Sequence, residues 1–488
     1  MMRRFVEGIK QIINSKVRRR KFVYLFRHYL LFLLVVLCLL GAYLLRTRST
    51  RYGRAAFDDV NFVRSAYRVD DSTIRIVFVR SMNNFHNLTY EYGKKKGRIR
   101  LECHNEHCPD PFSPPCRLNG YVGIINDLTK QDYQSYLVIF SDLNMEDPLF
   151  INVQNARNVD LPKHKLGVCV QPIYLHTDFS ALVQFFEFWL SENATKFYVY
   201  RESYTKEVGE LLQFYASQKG IQVDFIDWSS LPLIEEDSSD SRNPNRYWFR
   251  LEVFMAIFDC VHRARGNVKY LAQTDLDEII YVGKDRSIIK FMDIMDKQEP
   301  MMASVSFRSQ RVQVMNSTWA VAQNPSELSF TNLDEIILED RVFKRPLYAK
   351  MIYRPERVFH VHIHRQLQTE RIPGTDTFYK HVNIAPEGGV VLHIRRLKDM
   401  YPWTNAYNSS ILMDTAERME KNFQERISNY TFGISEWTNY GFTINEHIEK
   451  CRQSMNRNRD HACHNIWDCD KTVTSIDWVR VPNCWLTV

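Results

Sequence analysis

The feature that most constrains the fold is an alternation of apolar, strand-like runs with helical stretches that begins at Lys165. Runs rich in β-branched and aromatic residues, which favour strands, cover residues 168–174, 197–200, 221–228 and 268–274. Between them, residues 179–191, 205–217 and 247–261 carry apolar side chains at helical spacing. Strands that alternate with helices predict an α/β layer fold with a largely parallel sheet.

The last of these strands runs into three carboxylates, Asp275, Asp277 and Glu278. Open α/β sheets bind their ligands beyond the carboxyl ends of the strands. Since residues two apart in an extended segment face the same way, Asp275 and Asp277 are predicted to converge on one cation. Mg²⁺ and Mn²⁺ prefer oxygen ligands and bridge them to phosphates, so the motif predicts a site for a metal and a diphosphate. The alternatives are surface carboxylates in a turn, and a phosphohydrolase with an aspartyl nucleophile.

The N-terminal residues predict a membrane anchor. Residues 29–45 form an uncharged apolar run of seventeen residues, near the short limit for a helix that crosses a bilayer. The preceding 28 residues carry nine Lys and Arg and one Glu, a charge of +8 against +7 for the whole chain, so the remainder sums to about −1. This distribution argues against a nucleic-acid-binding protein, and it predicts a cytosolic N terminus and a lumenal body. The alternative, a cleaved signal peptide, lacks a small-residue cleavage site before Arg46.

Glycosylation motifs and cysteines agree with a lumenal body. Five N-x-Ser/Thr motifs follow the apolar run, at Asn87, Asn193, Asn316, Asn408 and Asn429. Nine cysteines also follow it, and an oxidising lumen favours disulfides over a zinc site at the closely spaced Cys103, Cys108 and Cys116. Because nine is an odd number, at least one thiol is expected to stay free or to pair between chains.

Several segments, taken in order, resemble glycosyltransferase family 92. They lie within residues 165–400 and read CVQPIY (169–174), FYVY (197–200), FDCVHRAR (258–265), YLAQTDLDEII (270–280) and VVLHIRR (390–396). The resemblance implies a Rossmann-type GT-A fold and a type II membrane enzyme of the secretory pathway that transfers a sugar with inversion. It also implies a divalent metal, Mn²⁺ or else Mg²⁺, and a UDP-sugar donor, because the family includes β-galactosyltransferases that use UDP-galactose on fucose-bearing N-glycans.

The resemblance also assigns the metal ligands. Asp275 and Asp277 match the family's metal-binding acidic pair, which makes them the predicted catalytic residues, and His393 matches a later histidine in an HYR-like segment that completes the metal shell. The tyrosine expected after that histidine is Ile394 in this chain. Two histidines that alternate on one predicted strand, His362 and His364, are rival ligands.

Further residues are predicted to bind the nucleotide sugar or to activate the acceptor. Tyr174 ends the first strand, Arg250 lies on the helix that leads to the acidic motif and could reach a phosphate, and Glu278 could hold a ligand or a sugar hydroxyl. An inverting transfer needs a general base at the acceptor hydroxyl. Five carboxylates of the predicted acceptor half remain candidates for it: Asp334, Glu335, Glu339, Asp340 and Glu436.

These observations predict six segments: a cytosolic arm (1–28), an anchor (29–45), a stem (46–70), a small β-rich subdomain (71–160), a GT-A-like α/β domain (165–400) and a Cys-containing C-terminal extension (401–488). The predicted function is metal-dependent, inverting transfer of a hexose, galactose from UDP-galactose by the resemblance, onto a glycoprotein glycan. The predicted location is the Golgi or ER membrane, with the catalytic domain in the lumen. A catalytically inactive glycan-binding or scaffold protein of the same fold is the alternative.

Overall fold

The computed structural model describes most of the chain beyond residue 55. The described residues are 33–34, 56–104, 108, 116–158, 161–233, 243–248, 253–283, 286–314, 322–344, 348–395, 405–438, 440–457, 463 and 465–488. The predicted anchor at 29–45 lies outside these ranges apart from Leu33 and Leu34. Within the described ranges, no helix has the length and apolar character needed to cross a membrane.

The first sheet contains nine strands and begins inside the segment predicted as a stem. Its strands are β1 (Asn61–Arg68), β2 (Ile74–Ser81), β3 (Leu88–Tyr92), β4 (Lys95–Arg98), β5 (Arg100–Cys103), β6 (Leu118–Ile125), β7 (Tyr136–Ser141), β8 (Asn144–Asn155) and the C-terminal β24 (Leu486–Thr487). Their order is β4-β3-β7-β8-β1-β2-β6-β5, with β24 paired to β1. Strand β1 forms earlier than the sequence predicted because Phe62, Val63 and Ala66 are fully buried, which a solvated stem does not allow.

The second sheet contains eleven strands, and two short pairs of strands lie beside it. The chain contributes β9 (His164–Ile173), β10 (Lys196–Arg201), β11 (Ser203–Tyr204), β12 (Gln222–Asp227), β13 (Val268–Thr274), β14 (Glu278–Tyr281), β15 (Met302–Val314), β16 (Ile336–Val342), β17 (Lys350–Tyr353), β18 (Val358–His362), β19 (Arg365–Thr369), β20 (Lys380–Asn383), β21 (Val390–Arg395), β22 (Ala406–Ser409) and β23 (Val479–Arg480). The pairs β11-β23 and β18-β19 are separate from the main path β12-β10-β9-β13-β17-β15-β16-β22.

Seven helices accompany these strands in the described ranges: α1 (Phe179–Ser191), α2 (Lys206–Ser217), α3 (Val253–Ala264), α4 (Ile288–Gln298), α5 (Met413–Ile427), α6 (Gly441–Arg457) and α7 (Asn465–Asp470). Helices α1, α2 and α4 are each preceded by a capping residue, namely Asp178, Thr205 and Ser287. The side chain of each accepts a hydrogen bond from a backbone N–H of the first turn. The predicted alternation of strands and helices from β9 to β13 is thereby confirmed.

The order of the parallel strands creates the place for a ligand. Strands β12, β10, β9 and β13 run parallel. The chain builds outward from β9 to β10 and β12, and then returns to the other side of β9 with β13. Such a reversal leaves a crevice between the carboxyl ends of the two central strands. Beyond β13 the sheet continues with β17, which is antiparallel to it, so the whole sheet is mixed.

One part of the region predicted as a C-terminal extension belongs to the α/β layer, and the rest forms a cap that disulfides link to the chain. Strand β22 pairs with β16, and α5 packs its buried Met419 and Phe423 into the main core beside α1. Helix α1 is apolar on nearly all sides because the sheet covers one side of it and α5 another. The α/β layer therefore extends past residue 400.

Disulfides tie the remaining C-terminal segment to the rest of the chain. Cys451 pairs with Cys469 between α6 and α7, and Cys116 pairs with Cys463, which links this segment to the first sheet. Two further bridges are Cys103–Cys108, within the predicted β-rich part, and Cys169–Cys260, between β9 and α3. Cys484 has a free thiol, in agreement with the odd number of cysteines.

A buried ion cluster joins the first sheet to α3 and the β18-β19 pair. Glu370 accepts two hydrogen bonds from Arg75 of β2, at 2.6 and 2.9 Å, and one from Arg265 at 2.8 Å. His262 of α3 lies 3.0 Å from the Arg75 guanidinium. Burial disfavours the charged carboxylate, but Arg75 and Arg265 outweigh burial and hold the pKa of Glu370 below its usual value.

Replacing Glu370 by Gln is expected to lower the free energy of unfolding by about 3 kcal/mol, because two mostly buried guanidiniums lose their shared carboxylate. A lowered pKa means that this stabilisation is present above the unfolded pKa of about 4.3 and is lost as the pH falls through the folded pKa. Denaturant unfolding between pH 3.5 and 7 should therefore show that the difference in unfolding free energy between wild type and variant shrinks toward pH 3.5. The solvent-exposed pair of Arg371 and Asp376 supplies the control, since Asp376→Asn should leave the unfolding midpoint unchanged. A gap that stays constant with pH would contradict the assignment.

Candidate active site

A cavity of about 800 Å³ opens at the carboxyl ends of β9 and β13, where the order of the parallel strands reverses. Its walls come from the end of β9, the acidic segment after β13, His393 of β21 and one side of α6. Six of the residues proposed from sequence line it: Tyr174, Asp275, Asp277, Glu278, His393 and the rival ligand His364. Arg250 lies outside the described residues.

The acidic segment is a turn rather than an extended strand. Strand β13 ends at Thr274, and the backbone N–H of Glu278 donates to the carbonyl of Asp275 at 3.2 Å, which closes the turn. The Glu278 carboxylate in turn accepts the backbone N–H of Asp275 at 2.9 Å. Leu276 packs partly buried against the main core. Both aspartates reach the cavity, but the turn directs them to different partners.

Asp277 meets His393 at the rim of the cavity. Strands β14 and β21 pair with Glu278 opposite His393, and the N–H of Ile394 donates to the carbonyl of Asp277 at 2.8 Å. This pairing sets Asp277 Oδ2 3.0 Å from His393 Nε2. The Asp277 side chain is 36% exposed, so a ligand in the cavity can reach its carboxylate.

Asp275 meets a buried lysine that the sequence analysis did not single out. Strand β17 runs antiparallel to β13 and places Lys350 beside the end of β13. Lys350 Nζ lies 2.8 Å from Asp275 Oδ2 and 3.2 Å from Glu278 Oε2, and its side chain is fully buried. Gln171 of β9 donates to the second oxygen of Asp275.

The ammonium of Lys350 and the two carboxylates perturb one another. Burial alone would lower the pKa of Lys350, but Asp275 and Glu278 raise it above its usual value, so the side chain keeps its charge. Burial raises the pKa of Glu278 to about 7, against the opposing effect of Lys350. One internal cation thus balances much of the negative charge of the acidic segment.

The residues fit a divalent metal that is shared with a phosphate ligand rather than one held by the protein alone. No set of three or more His, Cys, Asp and Glu side chains in the described ranges is arranged to hold a metal ion. Asp277 and His393 offer one oxygen and one nitrogen 3.0 Å apart on the cavity wall, whereas Asp275 is paired with Lys350. Mg²⁺ and Mn²⁺ commonly take one or two protein ligands and complete their shell with water and substrate phosphates. Asp277 and His393 would therefore hold such an ion.

The rival histidines separate in the fold. His364 lines the cavity, and its Nδ1 lies 3.2 Å from the carbonyl of Ala349, whereas His362 is buried with its ring stacked on Phe254 at 4.6 Å. Burial, reinforced by the Lys350 ammonium, lowers the pKa of His364 to about 4, so this imidazole is neutral at physiological pH. His393 lies within hydrogen-bond distance of Asp277, whereas His364 Nδ1 lies by the Ala349 carbonyl and His362 Nδ1 accepts the backbone N–H of His364.

The candidate general bases lie away from this cavity. None of Asp334, Glu335, Glu339, Asp340 and Glu436 is among the described residues of its wall. Glu339 approaches it indirectly, since it lies 3.9 Å from Arg311, which does line the wall. The cavity carboxylate outside the acidic motif is Glu449 on α6, in a region that the sequence analysis described only as a cap.

Backbone strain is concentrated at the same place. Four described residues other than glycine have positive φ, and two of them, Leu175 (φ 46°) and Tyr348 (φ 56°), line the cavity. A left-handed conformation is unfavourable for leucine and tyrosine and persists only where surrounding contacts impose it. Leu175 follows β9 and Tyr348 precedes β17, so the strained residues flank the strands that supply Tyr174 and Lys350. Such clustering is typical of a functional site.

The fold and the cavity together define an α/β protein with a cavity at the switch point of its parallel strands, the place where nucleotide-binding α/β enzymes bind their ligands. A family model described as glycosyltransferase family 92 matches residues 164–440, which is more than half of the 488 residues. The chain belongs to glycosyltransferase family 92, and it is a glycosyltransferase by that membership. The match begins with β9 and ends one residue before α6.

Other comparisons add little to this assignment. No curated protein matches the chain. Among solved structures, residues 1–349 of S. aureus TarS in complex with UDP-GlcNAc are similar at 11% identity and a TM-score of 0.24, covering 63% of this chain and 92% of the TarS 1–349 chain. UDP-glucose pyrophosphorylase complexed with UDP-glucose matches at 9% identity and a TM-score of 0.20, covering 54% and 99%. Glucosyl-3-phosphoglycerate synthase from Mycobacterium tuberculosis, in complex with Mn²⁺, UDP-glucose and phosphoglyceric acid, matches at 12% and 0.19, covering 40% and 57%. These scores are too low to extend the family assignment.

Proposed function

We propose that this chain is a divalent-metal-dependent, inverting glycosyltransferase of the GT-A type that transfers galactose from UDP-galactose onto a glycoprotein glycan. The observation that carries the metal and nucleotide part is the convergence of Asp277 and His393 in a cavity at the switch point of the parallel sheet. Galactose, inversion and the glycan acceptor rest on the family to which the chain belongs. Family membership is also the reason to prefer sugar transfer over an aspartyl-phosphate mechanism.

Each cavity residue has a defined part in this proposal. Asp277 and His393 hold the ion, which when bound neutralises the charge that develops on the departing diphosphate. Lys350 holds the Asp275 and Glu278 carboxylates in place through its ion pairs, so that the Asp275 oxygens can accept hydrogen bonds from the donor. Tyr174 closes the cavity from the end of β9. The side chain that takes the proton of the acceptor hydroxyl is left unassigned.

We also propose that the enzyme acts on the lumenal side of a Golgi or ER membrane, anchored by residues 29–45. The apolar run and the preceding positive charge support the anchor. Four disulfides support this location, because disulfides persist in oxidising compartments. The four described sequon asparagines, Asn87, Asn193, Asn408 and Asn429, are all exposed and so accessible to glycosylation.

The function is tested by measuring UDP release from the detergent-solubilised full chain with a panel of UDP-sugars, a mixture of N-glycan acceptors and Mn²⁺. Transfer above the no-enzyme background with one donor, and product of inverted anomeric configuration, is the expected result. Absence of UDP release with every donor, together with glycan binding that persists in EDTA, would identify the chain as an inactive glycan-binding protein instead.

The metal requirement gives a separate prediction. EDTA should abolish UDP release, and added Mn²⁺ should restore it, because Asp277 and His393 supply two ligands and the diphosphate must complete the shell of the ion. His393→Gln should raise the Mn²⁺ concentration for half-maximal rate by about tenfold or more, since one of two protein ligands is lost. His86→Gln, at a surface histidine paired with Asp59 and Asp142, is the control and should leave the Mn²⁺ dependence unchanged. Full activity in EDTA would exclude the metal site.

A further inference from the structure

Helix α6 lies beyond the family-matched residues, yet it forms one wall of the cavity. The match ends at residue 440, and α6 spans Gly441–Arg457. Four of its residues, Ile448, Glu449, Arg452 and Gln453, line the cavity beside the end of β9. The site is therefore completed by a segment that the match to the family does not include.

This helix is fixed against the end of β9 rather than loosely apposed to it. Ile448 is buried in an apolar cluster with Leu175, Val473 and Ile476. The Cys451–Cys469 disulfide holds the residue directly before Arg452 to α7. Arg452 Nη1 donates to the hydroxyl of Tyr174 at 2.9 Å, so the helix and the strand end are joined inside the cavity.

The Arg452 guanidinium lines the cavity, and protein groups use its donors only in part. Its side chain is 22% exposed, and its second contact is a 3.3 Å ion pair with Glu449, which is 48% exposed. The Nε atom is buried, and no described residue accepts a hydrogen bond from it. A guanidinium presents five N–H donors in a planar fork that matches two phosphate oxygens at once. The Lys350 ammonium, by contrast, is already paired with Asp275 and Glu278.

The charge balance of the cavity requires such a group. A nucleoside diphosphate brings negative charge into a site already lined by Asp275, Asp277 and Glu278. A metal at Asp277 and His393 would offset part of that charge, and a second cation in the cavity can offset more. Arg452 lines the same cavity, and its hydrogen bond to Tyr174 positions the guanidinium there.

We propose that Arg452 binds the diphosphate of the donor nucleotide and that α6, stapled by Cys451–Cys469, is part of the donor site. The proposal rests on the proposed function, because it presumes a nucleoside diphosphate in this cavity. Tyr174 acts on the donor through Arg452 as a positioning residue. The C-terminal cap is thus a component of the site as well as a structural closure.

The test compares two ligands that differ only in their phosphates. Binding of UDP and of uridine to the full chain is measured by calorimetry in the presence of Mn²⁺. Arg452→Gln is expected to weaken UDP binding by about tenfold or more, the usual effect of losing a charge-assisted contact to phosphate, and to leave uridine binding unchanged. Arg457→Gln removes the same charge from the exposed end of the same helix and should bind UDP like the wild type.

Each outcome bears on a distinct claim. Wild-type protein that binds no UDP would refute the proposed function itself. Wild-type protein that binds UDP while Arg452→Gln binds it equally well would refute only the role of Arg452. A thermal unfolding curve accompanies each variant, and if Arg452→Gln does not fold, Arg452→Lys replaces it. The lysine retains the charge but not the fork, so a selective loss of UDP affinity relative to uridine is again expected, and an unchanged ratio would overturn the proposal.

Discussion

Replacing Asp277 by Asn is expected to reduce sugar transfer by at least about 10²–10³-fold while leaving the fold intact, because a charge that stabilises the transition state is lost without a change of shape. The carboxylate is 36% exposed and stands at the rim of the cavity, so its neutralisation costs little folding energy. Asparagine keeps an oxygen toward His393, 3.0 Å away, but binds a divalent cation weakly. The rate of UDP release at saturating Mn²⁺ and donor is the measurement.

Two comparisons make this result specific. Asp376→Asn removes an aspartate that is 99% exposed and remote from the described cavity wall, and it should transfer sugar at the wild-type rate. The thermal unfolding temperature of Asp277→Asn should stay close to that of the wild type. An Asp277→Asn enzyme that retains activity within twofold of the wild type would remove this residue from the catalytic machinery and would leave Asp275 and His364 as the remaining candidates at the metal.

Replacing Lys350 by Met is expected to lower the free energy of unfolding by about 3–5 kcal/mol and to abolish transfer, because it leaves a buried carboxylate without its cation. Lys350 is fully buried between Asp275 and Glu278, and Glu278 is itself 1% exposed. Without the ammonium, Glu278 must stay charged in an apolar site or take up a proton, and either outcome disturbs the acidic turn. Denaturant unfolding monitored by tryptophan fluorescence measures the loss.

A compensating substitution separates electrostatics from packing. Lys350→Met combined with Glu278→Gln should recover at least about 1 kcal/mol of the loss, since the uncompensated carboxylate is gone. Lys269→Met serves as the control, because Lys269 pairs with Asp293 and Asp296 but is 31% exposed, and its loss should cost less than about 1 kcal/mol. If the losses of unfolding free energy caused by Lys350→Met and Glu278→Gln simply add in the double variant, the lysine matters only through its packing.

The sequence predicted the elements that depend on neighbours along the chain. Strands β9, β10, β12 and β13 and helices α1 and α2 appear where period and composition place them, whereas α3, predicted at 247–261, spans Val253–Ala264. Their boundaries were less predictable where burial depends on distant partners. Strand β1 begins inside the predicted stem because β2 and β8 cover it, and β22 and α5 extend the α/β layer past residue 400 because β16 and α1 cover them.

The predicted site was recovered only in part, for the same reason. Asp275, Asp277 and Glu278 are adjacent in sequence and follow an apolar strand, so their position at the sheet edge could be read directly, and the family resemblance supplied His393. Lys350 directly precedes the apolar run MIY, which is only weak evidence for a buried lysine, and the sequence analysis did not identify it. Arg452 carried no local signal, since an arginine on a polar helix is ordinarily a solvated side chain.

By itself, the sequence determined that a parallel α/β layer ends in an acidic segment, because strand and helix periods and the chemistry of carboxylates are local properties. The tertiary structure alone decided how that segment is used. Pairing of β17 with β13 brings a lysine to Asp275 from 75 residues away, pairing of β21 with β14 brings His393 to Asp277, and packing of α6 on Leu175 brings Arg452 to Tyr174 across 278 residues. These contacts depend on strand register and on burial between distant segments, which no spacing along the chain encodes.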